Sequence, residues 1–294
     1  MRIASLLPAA TEIVSALGIA DELVGVTFEC AGEVRVRCPV LVDTALPPDL
    51  SPQEIDAWVR ERTALGLPMY ELDRAALVAL APDLILTQDL CLVCALPAGT
   101  VEEACRSIGT DAAVLSLDPR SLDDVLDCVT AVGDAAGAAD AAAALTGRLR
   151  ARLSAVERAV AGRSRPRVLV LEWTDPPFLA GHWVPELVVR AGGDPVGGAA
   201  GGRSAAARWS DLPEADVVVV APCGFGLDAA LEQCPPVAAR LPGIPLVAID
   251  SARLVVQPGP GLVSGVEALA WLLHPGAVVE PPPGRVARVL TGHL

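Results

Sequence analysis

Between residues 138 and 161 the chain reads AADAAAALTGRLRARLSAVERAVA. Ala, Leu, Arg and Glu all have good helix propensity, so the spacing predicts one long helix, weakened locally at Gly147. Gly162-Arg163-Ser164-Arg165-Pro166 ends it. On both sides the pattern changes to short apolar runs alternating with helical stretches, the sign of βα units around parallel sheets. The expected architecture is α/β: a lobe over residues 1–137, a connecting helix over 138–162, and a second lobe over 163–294.

In the first half the strand candidates are Ile3–Leu6, Leu23–Val26, Leu84–Thr87 and Ala113–Leu117. The helix candidates are Thr11–Leu17, Gln53–Ala64, Leu72–Leu80, Val101–Ile108 and Leu122–Ala131. The second half offers strands at Val168–Leu171, Val217–Val220 and Leu246–Ile249, and helices at Val184–Arg190, Leu227–Ala239 and Gly261–Leu272. The expected fold is two Rossmann-like lobes joined by a long rigid helix, with a ligand cleft between them.

Composition narrows the function. Apolar residues make up 52% of the 294, ample for buried cores. The formal net charge of −14 comes without any basic stripe, which argues against a nucleic-acid partner. No apolar run approaches the roughly 18 residues of a membrane span. Arg2 leads straight into Ile3-Ala4-Ser5-Leu6-Leu7-Pro8, which reads as a first strand and its turn rather than a secretory leader. The expected location is therefore the cytoplasm, where the eight cysteines are thiols or metal ligands rather than disulfides.

Ligands of open α/β sheets bind beyond the carboxyl ends of the strands. Candidate ligand-binding residues at those ends are Phe28, Glu29, Asp89, Glu172, Trp173 and Phe225, with His182 and Trp183 at the mouth of a helix. Trp173 can stack on a planar ligand. His182 is the histidine best placed to act, because His274 and His293 lie near the C-terminus. Four cysteines, Cys30, Cys91, Cys94 and Cys223, also fall at strand ends, and Cys91-x-x-Cys94 is a chelating pair. Four convergent thiolates are what zinc or an iron–sulfur cluster requires. Cys38, Cys105, Cys128 and Cys234 read as packing residues. There is no GxGxxG turn, P-loop or GxSxG elbow.

Three stretches resemble a known family: RIASLLPAATEIVSALGIADELVGVT (2–27), ALVALAPDLILTQ (76–88) and GHWVPELVVRAGGD (181–194). They are similar to the substrate-binding proteins that deliver cobalamin and ferric siderophores to ABC importers, closest to the cobalamin branch. QDLCLVC (88–94) and APCGFG (221–226) look like a cytoplasmic, cysteine-containing subgroup. The resemblance implies two α/β lobes, a helical connector and a bound corrinoid or other metal chelate. The expected function is thus a cobalamin-type or metal-chelate binder with a small-molecule ligand, no nucleic acid and no stable membrane insertion. The alternative is a metalloprotein or enzyme whose cleft cysteines hold an iron–sulfur cluster or zinc.

Overall fold

A computed structural model describes residues 1–89 and 97–289. The chain divides into two compact units, one formed by residues 1–119 with 126–146, the other by residues 120–125 with 147–294. Each is an α/β lobe with its own sheet.

The first lobe is built on β1 (Ile3–Ser5), β2 (Leu23–Thr27), β3 (Val40–Thr44), β4 (Tyr70–Leu72), β5 (Leu84–Thr87) and β6 (Ala113–Ser116). Their order is β4-β3-β2-β1-β5-β6, parallel throughout except for the antiparallel pair β3–β4. β1 and β5 lie in the interior of the sheet, and every residue of both is buried. A strand covered on both faces must be apolar without alternation, which is why these runs are continuous in the sequence. Leu77 of the helix Arg74–Leu80 and Val101 and Cys105 of the helix Ala98–Ile108 pack on Ala4, Leu41, Val42 and Ile85. Each fully buried Leu or Ile of this kind stabilises the lobe by about 2 kcal/mol.

The second lobe contains β7 (Arg167–Thr174), β8 (Pro177–Leu179), β9 (Asp194–Pro195), β10 (Ala205–Ala206), β11 (Val217–Val220), β12 (Leu246–Ile249) and β13 (Val286–Val289). The order is β10-β8-β7-β11-β12-β13, with β9 also paired to β7. β7, β11 and β12 form the parallel centre, β8 and β13 join it antiparallel, and β10 pairs antiparallel with β8. The core around Leu169, Leu171, Val218, Val220 and Leu246 is closed by Ala230, Cys234 and Val237. The long helix runs unbroken from Ala139 to Val160.

Several elements depart from the sequence pattern. β4, β8, β9 and β10 span two or three residues each and β13 lies at a sheet edge, while β3 is an interior strand whose apolar run, Val40-Leu41-Val42, stops at Asp43. Leu72 belongs to β4 rather than to the helix that follows, which starts at Arg74 behind the side-chain cap of Asp73. The helix expected over 227–239 is two helices, Leu227–Glu232 and Cys234–Arg240. Pro235 and Pro236 lack an N–H, so they fit the first turn of a new helix and not the interior of a continuous one. β7 extends through Thr174 because it forms a hairpin with β8, so Glu172 and Trp173 lie in the strand.

Candidate functional site

In the first lobe β1, β2, β5 and β6 all present their carboxyl ends on one sheet edge. After β1, the Ser5 hydroxyl donates to the Leu7 carbonyl at 2.9 Å and accepts from Thr11 Oγ1 at 2.8 Å. Thr11 Oγ1 in turn lies 3.1 Å from the Cys30 sulfur. Cys30 is buried, and burial pushes its thiol above the ordinary range. Phe28 is half-buried, with its ring 6.2 Å from that of Tyr70. Tyr70 is the chain's single tyrosine, and that rarity was the one signal that could have singled it out.

Glu29 keeps an exposed surface but is crowded by surrounding protein, and that desolvation pushes its carboxyl up to about 7. The folded chain therefore holds a proton that the unfolded chain releases near 4.5. This group's contribution to stability is present below that value and is lost as pH rises through about 7. In Glu29→Gln the fall in melting temperature between about pH 5 and about pH 8 is expected to be smaller than in the parent. An unchanged fall would remove Glu29 as its source.

Asp89 has a structural task. Its Oδ1 accepts from Ala98 N at 2.6 Å at the start of the helix Ala98–Ile108, and its own N–H donates to Asp118 Oδ1 at 2.5 Å. Cys91 and Cys94 lie outside the described residues.

In the second lobe the ends of β7, β11 and β12 are tied into one surface. Cys223 N donates to the Glu172 carbonyl at 2.9 Å. Ser251 Oγ donates to the Ala221 carbonyl at 2.8 Å, and Ala252 N donates to the Phe225 carbonyl at 3.0 Å. The half-buried Trp173 and Phe225 rings stand 5.7 Å apart, tilted by 49°. The side chain of Glu172 accepts a hydrogen bond from Ser204, a residue of the Gly-rich stretch that sequence patterning did not single out. Trp183 is 5% exposed, and its ring N–H donates to the Val255 carbonyl at 2.7 Å, so it anchors the start of the helix Val184–Arg190. Burial, with the Arg203 and Arg120 charges, lowers His182 below the ordinary imidazole range.

The structure thus brings together Glu172, Trp173, Cys223 and Phe225 in one lobe, and Phe28, Glu29 and Cys30 along one turn of the other. Among the described residues no group of three or more His, Cys, Asp or Glu side chains could hold a metal ion. The buried Cys30 is a neutral thiol bonded to Thr11, and Cys223 is exposed. Cys38, Cys105, Cys128 and Cys234 are buried, and none of them forms a disulfide among the described residues.

Solved structures share this architecture. A periplasmic heme-binding protein from Pseudomonas aeruginosa matches at a TM-score of 0.69 and 20% identity, covering 98% of this chain and 97% of its own. The periplasmic heme-binding protein RhuT from Roseiflexus sp. RS-1, in its apo form, matches at 0.67 and 20%, covering 94% and 98%. The two-lobed α/β fold is that of periplasmic binding proteins. The periplasmic vitamin B12-binding protein BtuF of Vibrio cholerae has it too, at a TM-score of 0.63 and 18% identity over 92% of this chain and 96% of its own. No protein-family model and no curated protein matches the chain.

These neighbours correct one expectation. A cytoplasmic location rested on the strand that opens the sequence, whereas these three solved proteins of the same fold are periplasmic, which points away from the cytoplasm. Among the described residues no helix is long and apolar enough to cross a membrane.

Proposed function

We propose that this chain is a substrate-binding protein of the ABC-importer type whose ligand is a planar metal tetrapyrrole, a heme or a corrinoid. The observation that carries the proposal is an aromatic pair at the strand ends of each lobe, Phe28–Tyr70 in the first and Trp173–Phe225 in the second. Aromatics make up only 3% of the chain, so four of them at strand ends are a marked concentration. Each pair offers an apolar ring face of the kind on which a flat macrocycle stacks. The solved neighbours of the same fold that bind heme and vitamin B12 support the same ligand class. Glu29 and Glu172 stand beside these rings as hydrogen-bonding groups, Glu172 already held by Ser204. Cys30, Cys223 and Trp183 serve packing and loop geometry in this proposal.

The test is a spectroscopic titration of the full chain with hemin and, separately, with hydroxocobalamin. A saturable one-to-one change is expected with one of them, and Trp173→Ala is expected to weaken it by about tenfold or more. Absence of binding by both would end the proposal.

A further inference from the structure

Three groups of the second lobe, none of them used in the stacking argument, are linked: the Arg203 and Arg120 charges both act on the His182 ring. His182 has φ 50°, a left-handed conformation that a residue with a side chain adopts only under constraint. Its Nε2 is buried without a hydrogen-bond partner, a loss of free energy that a folded chain rarely tolerates without a use. Both features are imposed by the Gly-rich turn. The His182 N–H donates to the Gly202 carbonyl at 2.6 Å, and the His182 carbonyl accepts from Gly201 N at 2.8 Å.

The same turn brings up the first of two cations. A Cβ on Gly181 would meet Ser204 N at 2.4 Å and the Arg203 carbonyl carbon at 2.5 Å, so the Arg203 backbone is pressed against the residue preceding His182. The second cation arrives from the segment 120–125. Leu122 N donates to Glu186 Oε2 at 2.8 Å, which fixes the turn carrying Arg120 beside the helix that follows His182. Arg120 and Arg203 are exposed, and neither makes an ion pair among the described residues. Both are near enough to disfavour a charged imidazole. The neighbouring acids are engaged elsewhere. Glu172 takes the Ser204 hydroxyl, and Glu186 takes Arg190 and the Leu122 N–H. Asp124 takes the N–H groups of Arg120 and Ser121 and also feels the Arg120 charge.

We propose that Arg203, Arg120 and the Nε2–H of His182 form a subsite for a carboxylate group of the ligand. Two uncommitted guanidinium groups beside a neutral N–H donor attract an anion, and the planar fork of Arg matches a carboxylate with two parallel hydrogen bonds. The subsite deepens the tetrapyrrole proposal and rests on it for the choice of ligand. Heme carries two free propionate carboxylates, whereas the corrin ring of cobalamin carries amides. The subsite therefore selects the porphyrin.

Two measurements on the full chain test this, and they fail independently. The first follows the imidazole NMR signals while succinate, a simple dicarboxylate, is added. The His182 signals are expected to shift saturably and its titration midpoint to rise. His274, buried against the Gly192 carbonyl, is expected to stay unchanged. Arg203→Gln is expected to abolish the response. A silent His182 would overturn the subsite and leave the tetrapyrrole proposal standing. The second measurement compares hemin with its dimethyl ester. The acid is expected to bind about tenfold tighter, the size of one charge-assisted hydrogen bond. That preference is expected to vanish in Arg203→Gln and in His182→Asn, whose side chain tolerates the left-handed backbone. Equal binding of acid and ester to the parent chain would overturn the subsite. A responsive His182 with no porphyrin binding would keep the subsite and remove the tetrapyrrole.

Discussion

Gly265→Ala is expected to destabilise the second lobe by about 3 kcal/mol or more, although helix propensity alone favours Ala over Gly by about 1 kcal/mol. Gly265 lies inside the helix Gly261–Leu273, where the short helix Ser251–Leu254 crosses it. A Cβ at that position would stand 1.8 Å from the Leu254 carbonyl oxygen and 2.9 Å from its carbon. Backbone cannot swing aside as a side chain can, and Leu254 is itself buried at 5% exposure, so the two helices must separate. Gly147→Ala is the control. It lies in the exposed interior of the helix Ala139–Val160 with nothing within 4 Å of its Cβ position. That substitution is expected to stabilise by about 0.5–1 kcal/mol. Urea midpoints that move in opposite directions bear out the helix crossing; equal stability of Gly265→Ala and the parent would refute it.

The second large effect is expected from Arg285→Met. The Asp250 side chain is 8% exposed, and Arg285 Nη1 lies 2.5 Å from its Oδ2. Asp250 N also donates to the Arg285 carbonyl at 2.8 Å, so one residue satisfies both the backbone and the carboxylate of the other. Removing the guanidinium leaves a buried carboxylate whose remaining ion-pair partner is Arg253 at 3.9 Å. Breaking a buried pair from one side commonly costs about 3–5 kcal/mol. The 31% exposure of Arg285 lets water in and lowers the expected loss to about 2–3 kcal/mol. Asp250→Asn added to Arg285→Met is expected to recover most of that loss, since the stranded charge is gone. A double variant no better than the single one would show that the lost ion pair is not the cause.

The residues differ in how far they announce their place. Ile3–Ser5, Leu84–Thr87, Val217–Val220 and Leu246–Ile249 lie at or beside sheet centres, and burial on both faces leaves a continuous apolar run that no helix of that length would need. β4, with Tyr70-Glu71-Leu72, and β13, with Val286-Ala287-Arg288-Val289, are held by pairing to a neighbour already in place. Their own composition says little. Trp173 and Phe225 stood out as rare aromatics, but only the hairpin of β7 with β8 and the tie from Ala252 to Phe225 set their rings side by side. The Ser204–Glu172 bond joins residues 32 positions apart, and the Arg120 charge acts on His182 from 62 positions upstream. Local pattern carries no trace of such pairings. Trp183 combines a binding residue's chemistry with an anchoring hydrogen bond to Val255.

Neither lobe is a continuous stretch of chain. The first takes residues 126–146 after the second has already claimed 120–125. As the chain is synthesised, residues 1–119 are therefore an unfinished object, and the lobe closes only when the start of the long helix has followed. The second lobe is finished later still, when β13 adds to β12. A chain cut after residue 119 would keep β1–β6 but lack residues 126–146 of their lobe, and one cut before 286 would leave β12 an open sheet edge; either offers a quality-control protease an incomplete lobe rather than a smaller folded protein.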